Sequence, residues 1–469
     1  FKCDWSSDVC SSDLLEQTIA LAKNEGIATD VAEDFVANGT DSTVLTTVLT
    51  DLRNARRYPH METLEADFAG NTPVDQGEFY FYNVGKKMFF QHGSEWGTRS
   101  AVGMPGLLVT LEASGDGFKF HNKTLTSGGQ YTNPDGFVDT SDQHVWKFKA
   151  VDGKPGVYNI ARVNVDEDFE GDYQLLGYRP GTYVRVDTDM QGVDDPNNQW
   201  KLVTAQDRED ALDKATVEHP VDATYLISNP GFDQRDPLDE YYYQYDVETG
   251  VGVWGRTANY PDFVHECWNG SNKNNSFEIS QNLVIPREGW YLLSVQGYYR
   301  DGNFNNQVNV INETGDKLQE AYLLFQQGSE SEEVALMNLF DESAVNKAPG
   351  YGRVSEFGDE VPDGCSQAYQ YFQVGCYWNS LKPMWLDAGE CYFSVWKDTT
   401  TLEDWTVIDN FRLIYLGDDA DEPDPAIIDG ITSTTAENVS AKAYNLQGMQ
   451  VKSTKQHGIY IVNGKKVVR

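Results

Sequence analysis

The sequence predicts a mainly β protein in which a threefold repeat of strands is followed by a β-sandwich. Strand-like runs recur about every forty residues between residues 75 and 205. Further on, two motifs bracket a region rich in Tyr and Trp: Asn-Pro-Gly-Phe-Asp at 229–233 and an Asp-to-Leu run at 404–413. Helical periodicity is strongest in the first 70 residues, so we expect a small helical segment there and β-structure beyond it.

Composition excludes several functions for this chain of 469 residues. Its net charge of −37 argues against nucleic acid and anionic membranes, since both require a basic surface. No apolar run reaches the roughly 18 residues that a membrane span needs. The sequence holds no His-Glu-x-x-His, no Gly-x-Ser-x-Gly and no phosphate-binding loop. We therefore predict no catalytic residues and no enzyme activity.

The N-terminal part divides in two. Residues 1–14 resemble a translated sequencing adapter, and we interpret them as an artefact. Residues 15–70 are predicted to be helical and to be the end of a truncated domain. Asp41 or Ser42 is expected to cap a helix that ends near Arg57. Its apolar stripe is Val44, Val48 and Leu52, with Leu45 and Leu49 alongside.

Residues 75–205 contain three copies of a strand pattern that open at Phe79, Phe118 and Val157. Copies that cannot bury their own apolar faces favour a β-trefoil. Trp146 and Trp200 occupy strands that resemble the Gln-x-Trp motif of ricin-type lectins, in degenerate form. We expect these tryptophans to be mainly core residues. A helix and linker are predicted at 206–221.

The bracketed region at 222–417 resembles the galactose-binding-like jelly roll, the fold of many carbohydrate-binding modules. The resemblance implies that the two bracketing motifs pair as neighbouring strands and close the sandwich. It also implies a noncatalytic module with a glycan ligand.

Sugar recognition needs flat apolar rings beside planar polar groups. Such pairs occur in four clusters of the bracketed region, one of which also contains His265. We therefore predict ligand contacts at Trp254, Arg256, Trp268, Asn269, Tyr299, Arg300, Trp378 and Asn379.

Calcium is the one predicted cofactor. In jelly rolls that this region resembles, carboxylates after the opening motif and in the closing strand share a structural Ca²⁺, and Asp233 and Asp409 hold those positions. Four cysteines lie in the same region, and sequence leaves open both disulfides and buried free thiols. They are Cys267, Cys365, Cys376 and Cys391.

Residues 418–426 form an acidic, proline-containing linker, and residues 427–469 form a small β-domain. Tyr-Asn-Leu-Gln-Gly at 444–448, Gly-Ile-Tyr-Ile-Val at 458–462 and a basic-apolar terminus resemble the C-terminal sorting domain of type IX secretion in Bacteroidetes. The resemblance implies the type IX secretion machinery as a partner, and an extracellular or outer-membrane surface location.

We therefore expect a secreted or surface-attached glycan-binding protein. Two alternatives remain open. The modules could be accessory to a glycoside hydrolase or peptidase with a catalytic domain upstream of Leu15, or they could belong to a structural or adhesive surface protein.

Overall fold

The computed structural model describes residues 11–24, 27–57, 68–94, 98–122, 130–162, 175–178, 184–186, 192–232, 242–245, 253–255, 264–268, 270, 277–398, 401–419, 421–423, 443–445, 450–451, 459–462 and 465–468. The chain divides into two compact units, Phe1–Pro423 and Asp424–Arg469. Within the described ranges, no helix has both the length and the apolar character to cross a membrane.

Three helices form the N-terminal segment: α1 (Ser11–Asn24), α2 (Asp30–Asn38) and α3 (Ser42–Arg57). Asp41 caps α3, because its Oδ1 accepts the Thr43 N–H at 2.8 Å. The buried side of α3 consists of Leu45, Val48, Leu49 and Leu52. Val44 was predicted in this stripe but is 45% exposed, because the buried positions follow three- and four-residue spacing from Leu45.

In the part of the first β domain that the structure describes there are ten strands: β1 (Glu78–Asn83), β2 (Met88–Ser94), β3 (Arg99–Gly103), β4 (Leu108–Ser114), β5 (Gly117–Asn122), β6 (Trp146–Ala150), β7 (Val157–Arg162), β8 (Leu175–Tyr178), β9 (Val184–Val186) and β10 (Gln199–Val203). Six of them form a closed antiparallel ring in the order β1, β4, β5, β6, β7, β10 and back to β1. Along the chain, the β2–β3 hairpin is inserted between β1 and β4, and the β8–β9 hairpin is inserted between β7 and β10. A Tyr131–Thr140 bridge lies between β5 and β6.

Trp146 and Trp200 are fully buried inside this ring, as expected for core residues. Phe120 stacks on Trp146 with ring centroids 5.4 Å apart and planes inclined by 10°. The Trp200 Nε1–H donates to the Leu176 carbonyl at 2.9 Å, which satisfies its one polar group. Both aromatic positions therefore serve packing.

Helix α4 (Ala205–Leu212) connects the two β domains. It begins with a capping box, since the Thr204 side chain accepts the Asp207 N–H and the Asp207 carboxylate accepts the Thr204 N–H. The buried Arg208 guanidinium lies 3.4 Å from the centroid of the Tyr80 ring and 5.0 Å from that of Tyr225. One residue of α4 thus packs against aromatic rings of both β domains.

The described residues of the second β domain form fifteen strands: β11 (Val221–Asp222), β12 (Tyr242–Tyr245), β13 (Val253–Gly255), β14 (His265–Trp268), β15 (Phe277–Ile285), β16 (Gly289–Arg300), β17 (Ala321–Gln327), β18 (Glu330–Ala335), β19 (Met337–Asn338), β20 (Arg353–Val354), β21 (Glu360–Val361), β22 (Trp378–Ser380), β23 (Met384–Leu386), β24 (Gly389–Lys397) and β25 (Trp405–Tyr415). The eight-stranded sheet has the order β13-β14-β25-β16-β19, and in addition β11 pairs with β25 while β22 and β23 pair with β16. The five-stranded sheet has the order β12-β15-β24-β17-β18. The two sheets share one apolar core, as in a sandwich.

Two helices in this domain were absent from the sequence interpretation: α5 (Phe304–Thr314) and α6 (Cys365–Gln373). The Asn303 side chain caps α5 by accepting the Asn306 N–H at 3.0 Å, and Gly315 ends it with a φ of 76°. Both helices pack in a second apolar cluster beside the eight-stranded sheet. Packing against the rest of the domain stabilises these two helices more than their modest local helical pattern does.

The bracketing motifs meet, but not as two strands. The Phe411 N–H of β25 donates to the Pro230 carbonyl at 2.9 Å. However, Asn229 and Phe232 have φ values of 46° and 50°, and such left-handed backbone makes a turn instead of an extended strand. The predicted strand pairing at 229–233 is therefore wrong, and β11 pairs with β25 in its place.

The second unit contains β26 (Ala443–Asn445), β27 (Gln450–Val451), β28 (Ile459–Val462) and β29 (Lys465–Val468). They form one antiparallel sheet in the order β27-β26-β28-β29. Val462 pairs with Lys465, so two residues connect β28 and β29, which agrees with the predicted Asn-Gly turn.

Candidate functional site

The five-stranded sheet has one face in the core and one face directed outwards. Alternate residues of β15, β24 and β17 are buried in the core, including Ile279, Phe393 and Leu323. We refer to the outward side of four strands as the open face. Its residues are Glu278, Asn282, Val284, Tyr322, Leu324, Gln326, Ser331, Glu333, Ala335, Glu390, Tyr392 and Trp396. Ser280 and Ser394 share the same side of the sheet but are buried.

Strand register brings the aromatic residues of the open face together. Trp396 of β24 lies opposite Glu278 of β15 on one side and opposite Tyr322 of β17 on the other. The Tyr322 and Trp396 rings stack with centroids 4.8 Å apart and planes inclined by 23°. The indole Nε1–H donates to Glu333 Oε2 at 3.1 Å, which fixes the ring across β17 and β18.

Tyr392 is the third aromatic residue of this face. It lies on β24, two residues before Ser394. It pairs in register with Asn282 and Gln326. Its hydroxyl donates to Glu278 Oε1. Burial, and then the hydrogen bond to Glu278, raises the pKa of Tyr392, so the phenol stays protonated and remains a donor.

An open cleft of about 540 Å³ adjoins Tyr392. Polar side chains dominate its lining, and carboxylate and amide oxygens supply acceptors while the amide nitrogens supply donors. The lining is Glu278, Asn282, Leu324, Gln326, Gln327, Gly328, Glu390, Cys391 and Tyr392. The open face thus combines flat rings with hydrogen-bonding groups in adjoining register positions.

The open face is acidic. Glu278, Glu333 and Glu390 lie on it, and the four strands contain only one basic residue, Lys397. Lys397 is fully buried on the core side, where it pairs with Asp404. The field at the open face therefore disfavours anionic ligands.

Two of the predicted ligand residues, Tyr299 and Arg300, lie at the end of β16 and are buried. Arg300 donates from Nε to the Gly302 carbonyl at 2.8 Å and from Nη1 to Asp363 Oδ1 at 2.8 Å. The Tyr299 hydroxyl donates to Glu320 Oε2 at 3.3 Å. These contacts assign both side chains to loop anchoring.

Asn379 is likewise buried, and its Nδ2 donates to the Gly297 and Tyr377 carbonyls at 2.8 and 2.9 Å. Its neighbour Trp378 is half-buried, with the Arg412 guanidinium 5.7 Å from its ring centroid. Asn379 therefore joins β22 to β16 and offers almost no surface to a ligand.

Among the predicted ligand residues whose side chains the structure describes, Trp268 is the most exposed, at 37%. It lies on β14, opposite Trp405 of β25, and so belongs to the other sheet from the open face. Trp254 pairs through its backbone with Cys267. The Trp254 side chain, Arg256 and Asn269 lie outside the described residues, so their ligand contacts remain predictions.

The predicted calcium site is described only at Asp409. Asp409 is buried, and its Oδ1 accepts the Asn410 N–H at 2.8 Å. Asp233 lies outside the described residues. Within those described, no group of three or more His, Cys, Asp or Glu is placed to hold a metal ion. The four cysteines of this domain are free thiols.

Sequence reasoning missed the open face, although one signal for it exists. In β24, Tyr392 and Trp396 alternate with the buried Cys391, Phe393 and Val395. That period of two predicts two faces, one of them aromatic. Which face remains uncovered depends on the partner sheet, which the local pattern does not contain.

No family model and no curated protein matches the chain. Among solved structures it is similar to the carbohydrate-binding module TmCBM61 in complex with β-1,4-galactotriose, with 15% identity, a TM-score of 0.25, and coverage of 40% of this chain and 96% of that chain. A family 35 carbohydrate-binding module from Clostridium thermocellum has 14% identity, a TM-score of 0.16, and coverage of 37% and 88%. The Stig cyclase Fisc from Fischerella sp. TAU has 12% identity, a TM-score of 0.19, and coverage of 43% and 100%. Carbohydrate-binding modules thus occur among the structural neighbours together with an enzyme.

Proposed function

We propose that this chain is a noncatalytic glycan-binding protein and that its sandwich binds polysaccharide on the open face. The observation that carries the proposal is the stacked pair Tyr322 and Trp396, with Tyr392 further along β24. Aromatic rings on a sheet surface present flat apolar area to the C–H faces of pyranose rings. Flanking amides and carboxylates can bond the hydroxyl groups.

The charge of the open face narrows the ligand class to neutral glycans. Three glutamates lie on the open face, and none of its four strands has an exposed basic residue. A uronate or sulfate group would bring like charge close to them, which is unfavourable at short range. A neutral hexose polymer carries hydroxyl donors that suit carboxylate acceptors.

The other modules extend this proposal. The closed six-stranded ring with its three hairpin positions supports a β-trefoil assignment for residues 75–205. The four-stranded sheet of the second unit supports a small β-domain at 427–469, for which we keep the sorting role, the type IX partner and the extracellular or outer-membrane surface location. Two tethered weak sites would add avidity on a repeating polymer.

A binding screen with the full chain tests the proposal. Neutral polysaccharides (galactan, mannan, xyloglucan) are compared with polygalacturonate and heparin by affinity electrophoresis, each with Ca²⁺ and with EDTA. We expect retardation by at least one neutral polymer and none by the two anionic ones. Retardation by the anionic polymers alone, or by no polymer, would overturn the proposal.

A further inference from the structure

Lys397 and Asp404 form a fully buried pair in the sandwich. Lys397 ends β24 of the five-stranded sheet, and Asp404 directly precedes β25 of the eight-stranded sheet. Lys397 Nζ lies 2.8 Å from Asp404 Oδ1, and both side chains are 0% exposed. The pair therefore connects the two layers of the sandwich from inside.

The surroundings of the pair are apolar and aromatic. Lys397 Nζ lies 5.4 Å from the centroid of the Phe277 ring and 5.9 Å from that of Tyr299. The Cys267 thiol also contacts the Lys397 ammonium, whereas the two Asp404 Oδ atoms have no hydrogen-bond partner besides Nζ among the described residues. A buried ion pair with few supporting hydrogen bonds is costly, since each charge has lost its hydration.

We propose that Lys397 and Asp404 condense into an intramolecular isopeptide bond. The Lys397 Nζ lone pair attacks Asp404 Cγ, and the Nζ–Cγ bond forms. The bond from Cγ to the carboxyl hydroxyl oxygen breaks, and that oxygen leaves as water with a proton from the amine. The reaction is a condensation, so no oxidant, reductant or co-reactant is required, and the product is a neutral amide.

Transfer of one proton from the Lys397 ammonium to the Asp404 carboxylate gives the uncharged amine and acid that react, and burial disfavours two separate charges relative to that neutral pair. Burial raises the pKa of Asp404 to about 6; Lys397 opposes this rise, and the negative charges of Asp301 and Glu320 contribute to it, so Asp404 accepts a proton more readily than an ordinary aspartate. Because the fold holds the amine and the carboxyl group in contact, the reaction is intramolecular. Effective concentrations in well-oriented intramolecular reactions reach about 10⁵ M or more.

Cys267 is the other nucleophile next to Lys397. Burial raises the pKa of the Cys267 thiol to about 12, so it stays protonated and does not compete as a thiolate.

The amide would fix β24, which carries Tyr392 and Trp396, to β25 of the opposite sheet. Closing this short loop covalently would restrict the unfolded chain and raise resistance to unfolding.

Intact-mass spectrometry of the full chain under denaturing conditions tests the proposal. We expect the protein to be lighter than its sequence by one water molecule. Lys397→Arg keeps the charge but cannot form the amide, and we expect its full sequence mass. The exposed Lys382→Arg provides the matched control and should still lack one water. Asp404→Asn should lose one ammonia instead, because the same amide then forms from a carboxamide.

Peptide mapping locates the bond without relying on a variant that folds. Cleavage of the denatured chain after Glu403 separates the Lys397 peptide from the Asp404 peptide unless the amide joins them. Joined peptides support the proposal. Separate peptides, together with a full sequence mass after prolonged incubation, would overturn it and leave a noncovalent ion pair.

Discussion

Tyr322 and Trp396 stack across neighbouring strands on the outward side of the five-stranded sheet, with ring centroids 4.8 Å apart. The two residues are 74 positions apart in sequence and meet because β17 pairs with β24 in a register that sets them opposite each other. Stacked cross-strand rings stabilise a sheet. Because these rings are only partly buried, the same pair offers aromatic surface to a ligand.

Removing this aromatic surface should weaken glycan binding. We expect Trp396→Ala to weaken affinity by about 2 kcal/mol, or roughly thirtyfold, since a buried aromatic anchor at an interface contributes that much. Tyr322→Ala should have a similar effect. Isothermal titration calorimetry with the polymer found in the screen measures both.

Two substitutions provide the controls for that experiment. Val284→Ala alters a 67% exposed side chain at the margin of the open face and should leave affinity unchanged. Trp268→Ala tests the site predicted from sequence on the opposite sheet. Loss of binding in Trp268→Ala with full binding in Trp396→Ala would move the ligand site to β14.

Arg300 should matter for stability and not for binding. Its guanidinium is 7% exposed and pairs with Asp363 at 2.8 Å. Removing one partner of such a buried pair costs about 3 kcal/mol, so Arg300→Met should lower the free energy of unfolding by that amount. Urea titration measures it, and calorimetry on the folded variant should give the wild-type glycan affinity.

Arg353→Met is the matched control for Arg300. Arg353 pairs with the other oxygen of Asp363 at 2.7 Å but is 44% exposed. Solvent screening limits such a pair to about 1 kcal/mol or less. If the Arg300→Met protein is stable but no longer binds glycan, Arg300 belongs to the ligand site as the sequence predicted.

His265 should make the protein sensitive to acid. Burial lowers the pKa of His265 to about 3, and its ring stacks on Phe232 with centroids 5.1 Å apart. Below its ordinary pKa the unfolded state binds a proton that the folded state does not, so stability falls with pH from about 6.5 towards 3. This group alone should cost about 2 kcal/mol between pH 7 and pH 5.

Urea titrations at pH 7 and pH 5 measure that cost. His265→Asn should flatten the pH dependence by about 2 kcal/mol relative to wild type. His219→Asn, at an exposed histidine, should leave the pH dependence unchanged. An unaltered slope in His265→Asn would contradict the buried neutral imidazole.

Calcium at Asp233 and Asp409 remains a proposal, and melting curves test it. Saturating Ca²⁺ at a hundred times its Kd should stabilise the fold by about 2.7 kcal/mol. EDTA should therefore lower the melting temperature, and added Ca²⁺ should restore it. Asp409→Asn should abolish the response to both reagents. Identical melting curves in EDTA and Ca²⁺ would count against the site.

Local patterns in the sequence predicted much of the fold. Alternation identified strands such as β1, β5 and β7, and the forty-residue recurrence predicted repeated strand units before the sandwich. The buried Trp146 and Trp200 also followed from their place in those strands. These features depend on neighbours a few residues apart, which is the information that a sequence contains directly.

The proposed binding surface could be located only from the tertiary structure. Ring-and-amide clusters in the sequence pointed to Tyr299, Arg300 and Asn379, but the packing of β16 and β22 buries these side chains. The open face instead collects residues from four strands whose pairing spans dozens of positions. The sequence therefore determined the strands and their alternation. Long-range register and the covering of one face by the second sheet decided which alternate residues met and which remained exposed, because both depend on contacts between distant segments.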